Sequence, residues 1–586
     1  MADQELTKEI SVGEVFSFFG LILGPERKYY VLALIYGLGI SGLSLGLPIS
    51  VQMLVNTIAN TGLAAPLVVL SLTLFGLLII AGMLNALRIH LMDLFQRHFY
   101  ARMVSEIALR SVFALNPFFQ DYNKGTLFNR YFDILIVQKN VPNLLVGGFT
   151  IVLQMAFGFV LVSMYHPLFL AFTLVLIVLI WFIWLVWGGR AIRSAVEVSH
   201  RKHATAAWLE GLGASNGFFK SQRHIEEALT RTDAVTGDYI EKHEKHFRHH
   251  FAQTLCFLFL YASASAGLLG LGGWLVIQGQ LSLGQLVAAE LVLSVAFFGL
   301  TQLGTYLSYF YELCAALDEL SLFYNVEQEE PSPKSEPFDG DGELAFVRAR
   351  GDARGLVGTL DLSIASGSRV LGIAETHGIQ REMTNFLKRH IRPASGYVTL
   401  GGRDIMSIQA HELRQLIIVL DRPNAIEMTI REYLNLSGDG ATAAEILDAL
   451  TVVGLQTPIS QLENGLDTRV AATGWPLTIT ETMQLKLAAA LIAKPKVLVL
   501  GQLFDTMGDA PLRRSLDALQ ATSDTTVIYF SSRPRNIGFD SFLYLGYDHQ
   551  FVFETFEELC RKTGGEACDD AANQLPPDGA DIAPAV

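Results

Sequence analysis

Long apolar runs fill the first half of the chain and short ones the second. Residues 29–57, 66–88, 144–165, 167–189, 251–277 and 284–308 are mostly apolar, each over at least the roughly 20 residues a helix needs to cross bilayer hydrocarbon. The connections 59–65, around Tyr165–His166 and 278–283 hold no Lys or Arg. The connection 89–143 holds Arg97, Arg102, Arg110, Lys124, Arg130 and Lys139, and 190–250 is richer still, with Arg190, Arg193, Arg201, Lys202 and Lys220. Positive loops stay inside. The pattern therefore predicts six spans, very short outer loops, long helical inner loops and both termini in the cytoplasm. This is a multi-pass protein of an inner or plasma membrane.

Near residue 325 the pattern changes. The stretch Glu327-Gln-Glu-Glu-Pro-Ser-Pro-Lys-Ser-Glu-Pro337 is polar and Pro-rich, as linkers are. Short β-type runs follow at 368–373, 416–420, 496–500 and 526–530, alternating with helical patterns. Such alternation predicts an α/β domain with a largely parallel sheet. The expected organisation is a six-helix transmembrane domain over 1–325, a linker over 326–340, an α/β domain over 341–563 and a disordered tail over 564–586.

Composition agrees. The 586 residues are 51% hydrophobic and 17% charged, with mean hydropathy +0.35, too oily for an ordinary soluble chain. A net charge of -14 excludes nucleic acid as a partner, because phosphate neutralisation needs clustered cations. Cys256, Cys314, Cys560 and Cys568 lack metal-type spacing and read as reduced thiols. Asp3, Glu5 and Glu9 speak against a removable signal peptide.

Several stretches carry a family likeness. Gly125-Thr-Leu-Phe-Asn-Arg130 resembles a GxLxxR-type element of the first inner loop of ABC exporters, and Glu210 to Lys220 resembles a conserved-type stretch of the second. Ser366-Gly-Ser-Arg-Val370, Pro393-Ala-Ser-Gly396, Thr429-Ile-Arg-Glu432 and Gly465-Leu-Asp-Thr468 resemble spaced elements of the ABC ATPase domain. With six spans ahead of it, the chain resembles an ABC exporter half-transporter: a transmembrane domain fused to an ABC-ATPase-like domain. The resemblance covers nearly the whole length.

In that register the catalytic motifs are altered. A phosphate loop needs GxxxxGK[ST], glycines to bring backbone N–H groups to phosphate, Lys for charge and Ser or Thr for magnesium. The aligned residues include Ala374, Gly378, Ile379, Gln380 and Arg381, with Glu375 and Glu382 adding carboxylates. The strand that should end in Asp-Glu ends in Gly501-Gln502. The LSGGQ signature reads Leu477, Thr478, Ile479, Thr480, Glu481. The switch His position is Ser532 and the Q-loop position Asp421. No aromatic residue stands between 347 and 366 to stack adenine. Losing one positioned donor costs about 10²–10³ in rate, and here cation, metal-ligand and base positions all differ. The expectation is a degenerate domain with no catalytic residues, no bound ATP or magnesium and no metal site.

The resemblance implies a dimer, either of two identical chains or with an ATPase-competent half-transporter, and an adaptor protein as a further partner. It implies coupling positions at Phe119, Asp121, Gly125, Arg130, Phe218 and Phe219. The function it implies is ATP-independent transport or a structural or regulatory membrane role; the alternative is a degenerate subunit of a heterodimeric ATP-driven exporter. Glu290, inside the sixth apolar run, is a transport-pathway candidate, because carboxylates are costly in hydrocarbon unless they work there. Trp181, Trp184 and Trp187 read as a lipid-facing stripe, with a ligand cage as the other reading. His200, His203, His243, His246, His249 and His250 read as a basic belt beside the membrane, with metal or haem binding as the other reading.

Overall fold

The computed structural model describes residues 12–60, 64–115, 124–329, 336–351, 358–438, 440–533, 535–546 and 549–562. The chain divides into two compact units, Met1–Glu329 and Glu330–Val586. The stretch 564–586, expected as a disordered tail, lies outside the described residues.

Six helical segments of the first unit are long and apolar enough to cross a membrane: Phe16–Leu54, Leu67–Val112, Leu127–Ser163, Pro167–Ala214, Gln222–Ile277 and Leu283–Asn325. Their main helices are α1 (Arg27–Ser44), α2 (Gly46–Asn60), α3 (Ala64–Val112), α4 (Phe149–Ser163), α5 (Pro167–Ala214), α6 (Gln222–Ile277) and α7 (Leu283–Ser321). The run 29–57, read as one span, is two helices broken at Leu45. Pro48 lacks the N–H that would reach the Ser44 carbonyl, so the helix cannot run through.

Local sequence sets the helix ends. Pro167 opens α5, and His166 caps it by accepting the Leu168 N–H at 3.2 Å. Ser282 and Gln285 form a reciprocal capping box at the start of α7. Small residues let helices approach closely, as membrane packing requires. A Cβ on Gly304 would lie 2.8 Å from Thr254 Oγ1, and one on Gly158 would lie 3.0 Å from Val292.

Ion pairs with buried carboxylates join the helices of this unit. Arg102 Nε donates to Glu26 at 2.6 Å, Arg130 Nε to Glu319 at 2.6 Å and Lys202 Nζ to Asp133 at 2.8 Å. His203 lies 2.6 Å from the same Asp133, and His200 lies 2.9 Å from Asp318. These two histidines therefore serve the protein interior, not the expected belt. The helix faces they occupy could not be read from charge alone.

Among the described residues, the second unit holds two larger sheets and a two-stranded ribbon. One has order β2-β1-β4-β5, with β1 Leu344–Arg350, β2 Leu360–Ile364, β4 Ser395–Leu400 and β5 Arg403–Asp404. The other has order β12-β11-β3-β10-β9-β6. Its strands are β3 Arg369–Ala374, β6 Ile417–Leu420, β9 Val497–Leu500, β10 Thr526–Phe530, β11 Ser541–Leu545 and β12 Gln550–Phe553. All its pairings are parallel except β11 with β12. Every residue of β9 and β10 is buried, which explains their continuous apolar runs. A short ribbon pairs β7 (Met428–Thr429) with β8 (Arg469–Val470). The four β-type runs read from sequence are β3, β6, β9 and β10. Helices α8 (His377–Leu387) and α9 (Ile479–Ala493) carry the positions of interest below. Cys256 and Cys314 are free thiols, whereas Cys560 is disulfide-bonded, which departs from the expectation of reduced thiols throughout.

Candidate functional site

At the phosphate-loop positions, β3 ends at Ala374 and α8 opens at His377, so Glu375 and Thr376 alone separate them. The Glu375 N–H is already donated to the Leu545 carbonyl at 2.9 Å. No residue from Ala374 to Glu382 has a positive φ, so the αR–αL alternation of an anion nest is absent from this stretch. Gly378 lies exposed in the first turn of α8, and Arg381 is exposed. Ile379 is fully buried in a core shared with Met383 and Phe386. Gln380 is 2% exposed, and its Oε1 is buried without a hydrogen-bond partner. Glu382 accepts the Gly351 N–H at 2.7 Å, and burial pushes its carboxyl above the usual range.

At the strand-end positions, the Gly501 N–H donates to the Leu420 carbonyl at 2.9 Å. A Cβ on Gly501 would stand 3.1 Å from Asp421 Cα. Asp421 is paired with Lys388. Gln502 starts a 3-10 turn, Gln502–Thr506. Within that turn sits a residue the sequence reading passed over. The Asp505 carboxylate accepts the Tyr529 hydroxyl, Ser531 Oγ at 2.7 Å, Ser532 N–H at 2.8 Å and Ser532 Oγ at 2.6 Å. The switch position is thus tied to the segment after β9.

At the signature positions, Leu477 is buried and Thr478 caps α9. Thr478 Oγ1 accepts the Glu481 N–H at 3.2 Å and donates to Glu481 at 2.9 Å, while the Thr478 N–H donates to Glu481 at 2.8 Å. The helix end is closed by its own carboxylate. The Thr-x-x-Glu spacing announces this capping box in the sequence. Ile479 is 58% exposed, and Thr480 Oγ1 donates to Thr506 at 3.1 Å.

No protein-family model matches the chain. The ABC multidrug transporter mdr2 of Aspergillus fumigatus is 27% identical over 94% of this chain and 74% of its own length. The leukotoxin translocation ATP-binding protein LktB of Mannheimia glucosida is 28% identical over 39% of this chain and 33% of its own length. A bacterial Atm1-family ABC exporter, solved with ATP bound, superposes with TM-score 0.79 at 18% identity, covering 94% of this chain and 99% of the other. The chain is built as an ABC exporter half-transporter. Its first unit is the exporter membrane domain and its second the α/β domain of that fold.

Among the positions expected to couple the two domains, Phe119 and Asp121 lie outside the described residues. Gly125 belongs to the 3-10 segment Lys124–Tyr131. Arg130, in the same segment, reaches Glu319 in the last turn of α7. Phe218 is 63% exposed and stacks on His224, with centroids 4.2 Å apart. Phe219 meets Trp208 edge-on at 6.3 Å.

Within the membrane domain, Glu290 is partly buried and its Oε2 is enclosed without a partner. The tryptophan stripe does not face lipid as a whole. Trp181 is exposed, but Trp184 turns inward to stack on Tyr311, with centroids 6.4 Å apart. His246 and His250 stack in parallel beside Tyr311, and His246 Nδ1 lies 2.9 Å from Ser194 Oγ. Among the described residues no group of three His, Cys, Asp or Glu could hold a metal ion.

Proposed function

We propose that this half-transporter does not hydrolyse ATP and that its second unit acts as a fixed clamp for an ATP-independent membrane transporter. The observation that carries the reading is the turn Glu375–Thr376, with Ile379 sunk into the core behind it. A triphosphate needs a ring of free N–H groups and a cation; here the Glu375 N–H is already taken by Leu545, the stretch lacks the alternation of a nest, and Gln380 replaces the cation. The self-capped α9 and the Asp505 tether at Ser532 support the same conclusion, since both occupy groups that would otherwise be free to meet phosphate. ATP and magnesium are not cofactors in this reading, and two copies of the chain form the working dimer. Glu290 favours transport over a purely structural role, because it gives the membrane domain a carboxylate able to carry a proton.

The full-length likeness to an ABC multidrug transporter favours a second reading, in which a competent half-transporter supplies the ATPase. Purified full-length protein, in lipid nanodiscs for the ATP readouts and in sealed liposomes for transport, distinguishes the two. The first reading expects no heat on Mg-ATP titration, no phosphate release and transport that collapses with an uncoupler or in Glu290→Gln. Turnover by the chain alone overturns it, and a co-purifying ATP-hydrolysing half-transporter establishes the second.

A further inference from the structure

We propose that Arg88 is a binding site for a phosphate-type oxyanion at the inner end of the second membrane helix. Arg88 closes the apolar run 66–88 and belongs to α3. It is 3% exposed, while its neighbours Leu87 and Ile89 are exposed apolar residues. The guanidinium therefore points into the bundle and not, like an interfacial anchor, out toward the headgroups. Nη2 donates to Asn85 Oδ1 at 2.9 Å and Nη1 to Thr150 Oγ1; both partners are uncharged. Nε is buried with no partner at all.

The rest of this domain shows how unusual that is. The other buried charged residues there are Glu26, Asp133, Asp318 and Glu319, and each is paired: with Arg102, with Lys202 and His203, with His200 and with Arg130. Among the described residues of this domain, Arg88 is the buried cation that has no opposite charge beside it. An uncompensated buried cation costs several kcal/mol, so the arrangement calls for an anion. Five donors in a planar fork suit the oxygens of phosphate, and two of the five are used. Gly37 of α1 lies against the guanidinium. Gly37 meets Nη1 without a side chain, a Cβ there standing 3.4 Å away. One turn further along α1, Ser41 Oγ is buried without a partner. The same fork suits the phosphate of a phospholipid headgroup and that of a phosphate-bearing solute. This site is independent of the ATPase reading.

The test uses full-length protein in nanodiscs of phosphatidylcholine, with and without phosphatidylglycerol, and with inorganic phosphate titrated into the phosphatidylcholine discs. Thermal unfolding and native mass spectrometry read the binding. Wild type is expected to be stabilised in one arm and to retain the corresponding adduct; phosphatidylglycerol identifies a lipid, inorganic phosphate a solute. Arg88→Gln is expected to bind about ten-fold more weakly or worse, the loss of a charged hydrogen bond. Arg88→Lys, a point charge without the fork, should fall between them and serves if Arg88→Gln does not fold. Wild type bare in both arms, or an Arg88→Gln protein that responds as wild type does, overturns the proposal.

Discussion

Ser532 gives Asp505 both its backbone N–H, at 2.8 Å, and its hydroxyl, at 2.6 Å. With Tyr529 and Ser531 on the same carboxylate, one side chain holds the loop after β10 to the turn after β9. Removing it strands several donors at once, and each unsatisfied buried group costs about 1–3 kcal/mol. Asp505→Ala should therefore lower the unfolding temperature of the full chain and speed amide exchange over 530–537. Unchanged exchange in that segment would show that the tether holds nothing.

Arg130 and Glu319 make a second prediction. Their pair joins the 3-10 segment Lys124–Tyr131 to the last turn of α7, and Glu319 is fully buried. Breaking a buried pair from one side costs about 3–5 kcal/mol, more than removing both partners. Arg130→Ala and Glu319→Ala should each destabilise the detergent-solubilised protein strongly, and the double variant by less than the sum. Additive losses in that cycle would mean that the pair is not coupled.

Restoring the altered letters should not restore an ATPase. A chain with Gln380→Lys, Gly501→Asp and Gln502→Glu still has the Glu375–Thr376 turn and the buried Ile379. The new side chain at 501 must also press on Asp421. Phosphate release at background level is expected, with a lower unfolding temperature than wild type. Measured turnover would show that backbone shape is not the obstacle.

His390 predicts a pH effect in the second unit. Burial, with Lys388 and Arg414 nearby, lowers its pKa from 6.5 to about 4. A depressed base is neutral in the fold and takes up a proton on unfolding. Its contribution to stability is thus complete above pH 6.5 and is lost as pH falls toward 4. His390→Gln should flatten the acid side of the stability profile between those values. An identical profile would remove His390 from the explanation.

Much of the fold was legible because apolar length and strand-type runs are strong signals. The spans and β3, β6, β9 and β10 follow from them. What was not legible depends on which way a side chain faces. Trp184 and His203 sit in runs that read as lipid stripe and basic belt, yet both turn inward. Asp505 lies between Phe504 and Thr506 with no motif to mark it, and its partners come from a strand 24 residues away in sequence. The break at Leu45 was available from Pro48 and was outweighed by an unbroken apolar count.

The capping box at the start of α9 has one more consequence. Glu481 is fastened three residues from the Thr478 N–H and hydroxyl that it accepts, so it never dilutes away. A free anion arriving from solution competes with a tethered one whose effective concentration is on the order of millimolar or above. Fluctuations in cellular phosphate therefore leave the Thr478 N–H with Glu481, as a lock with the key already broken off inside it ignores every other key.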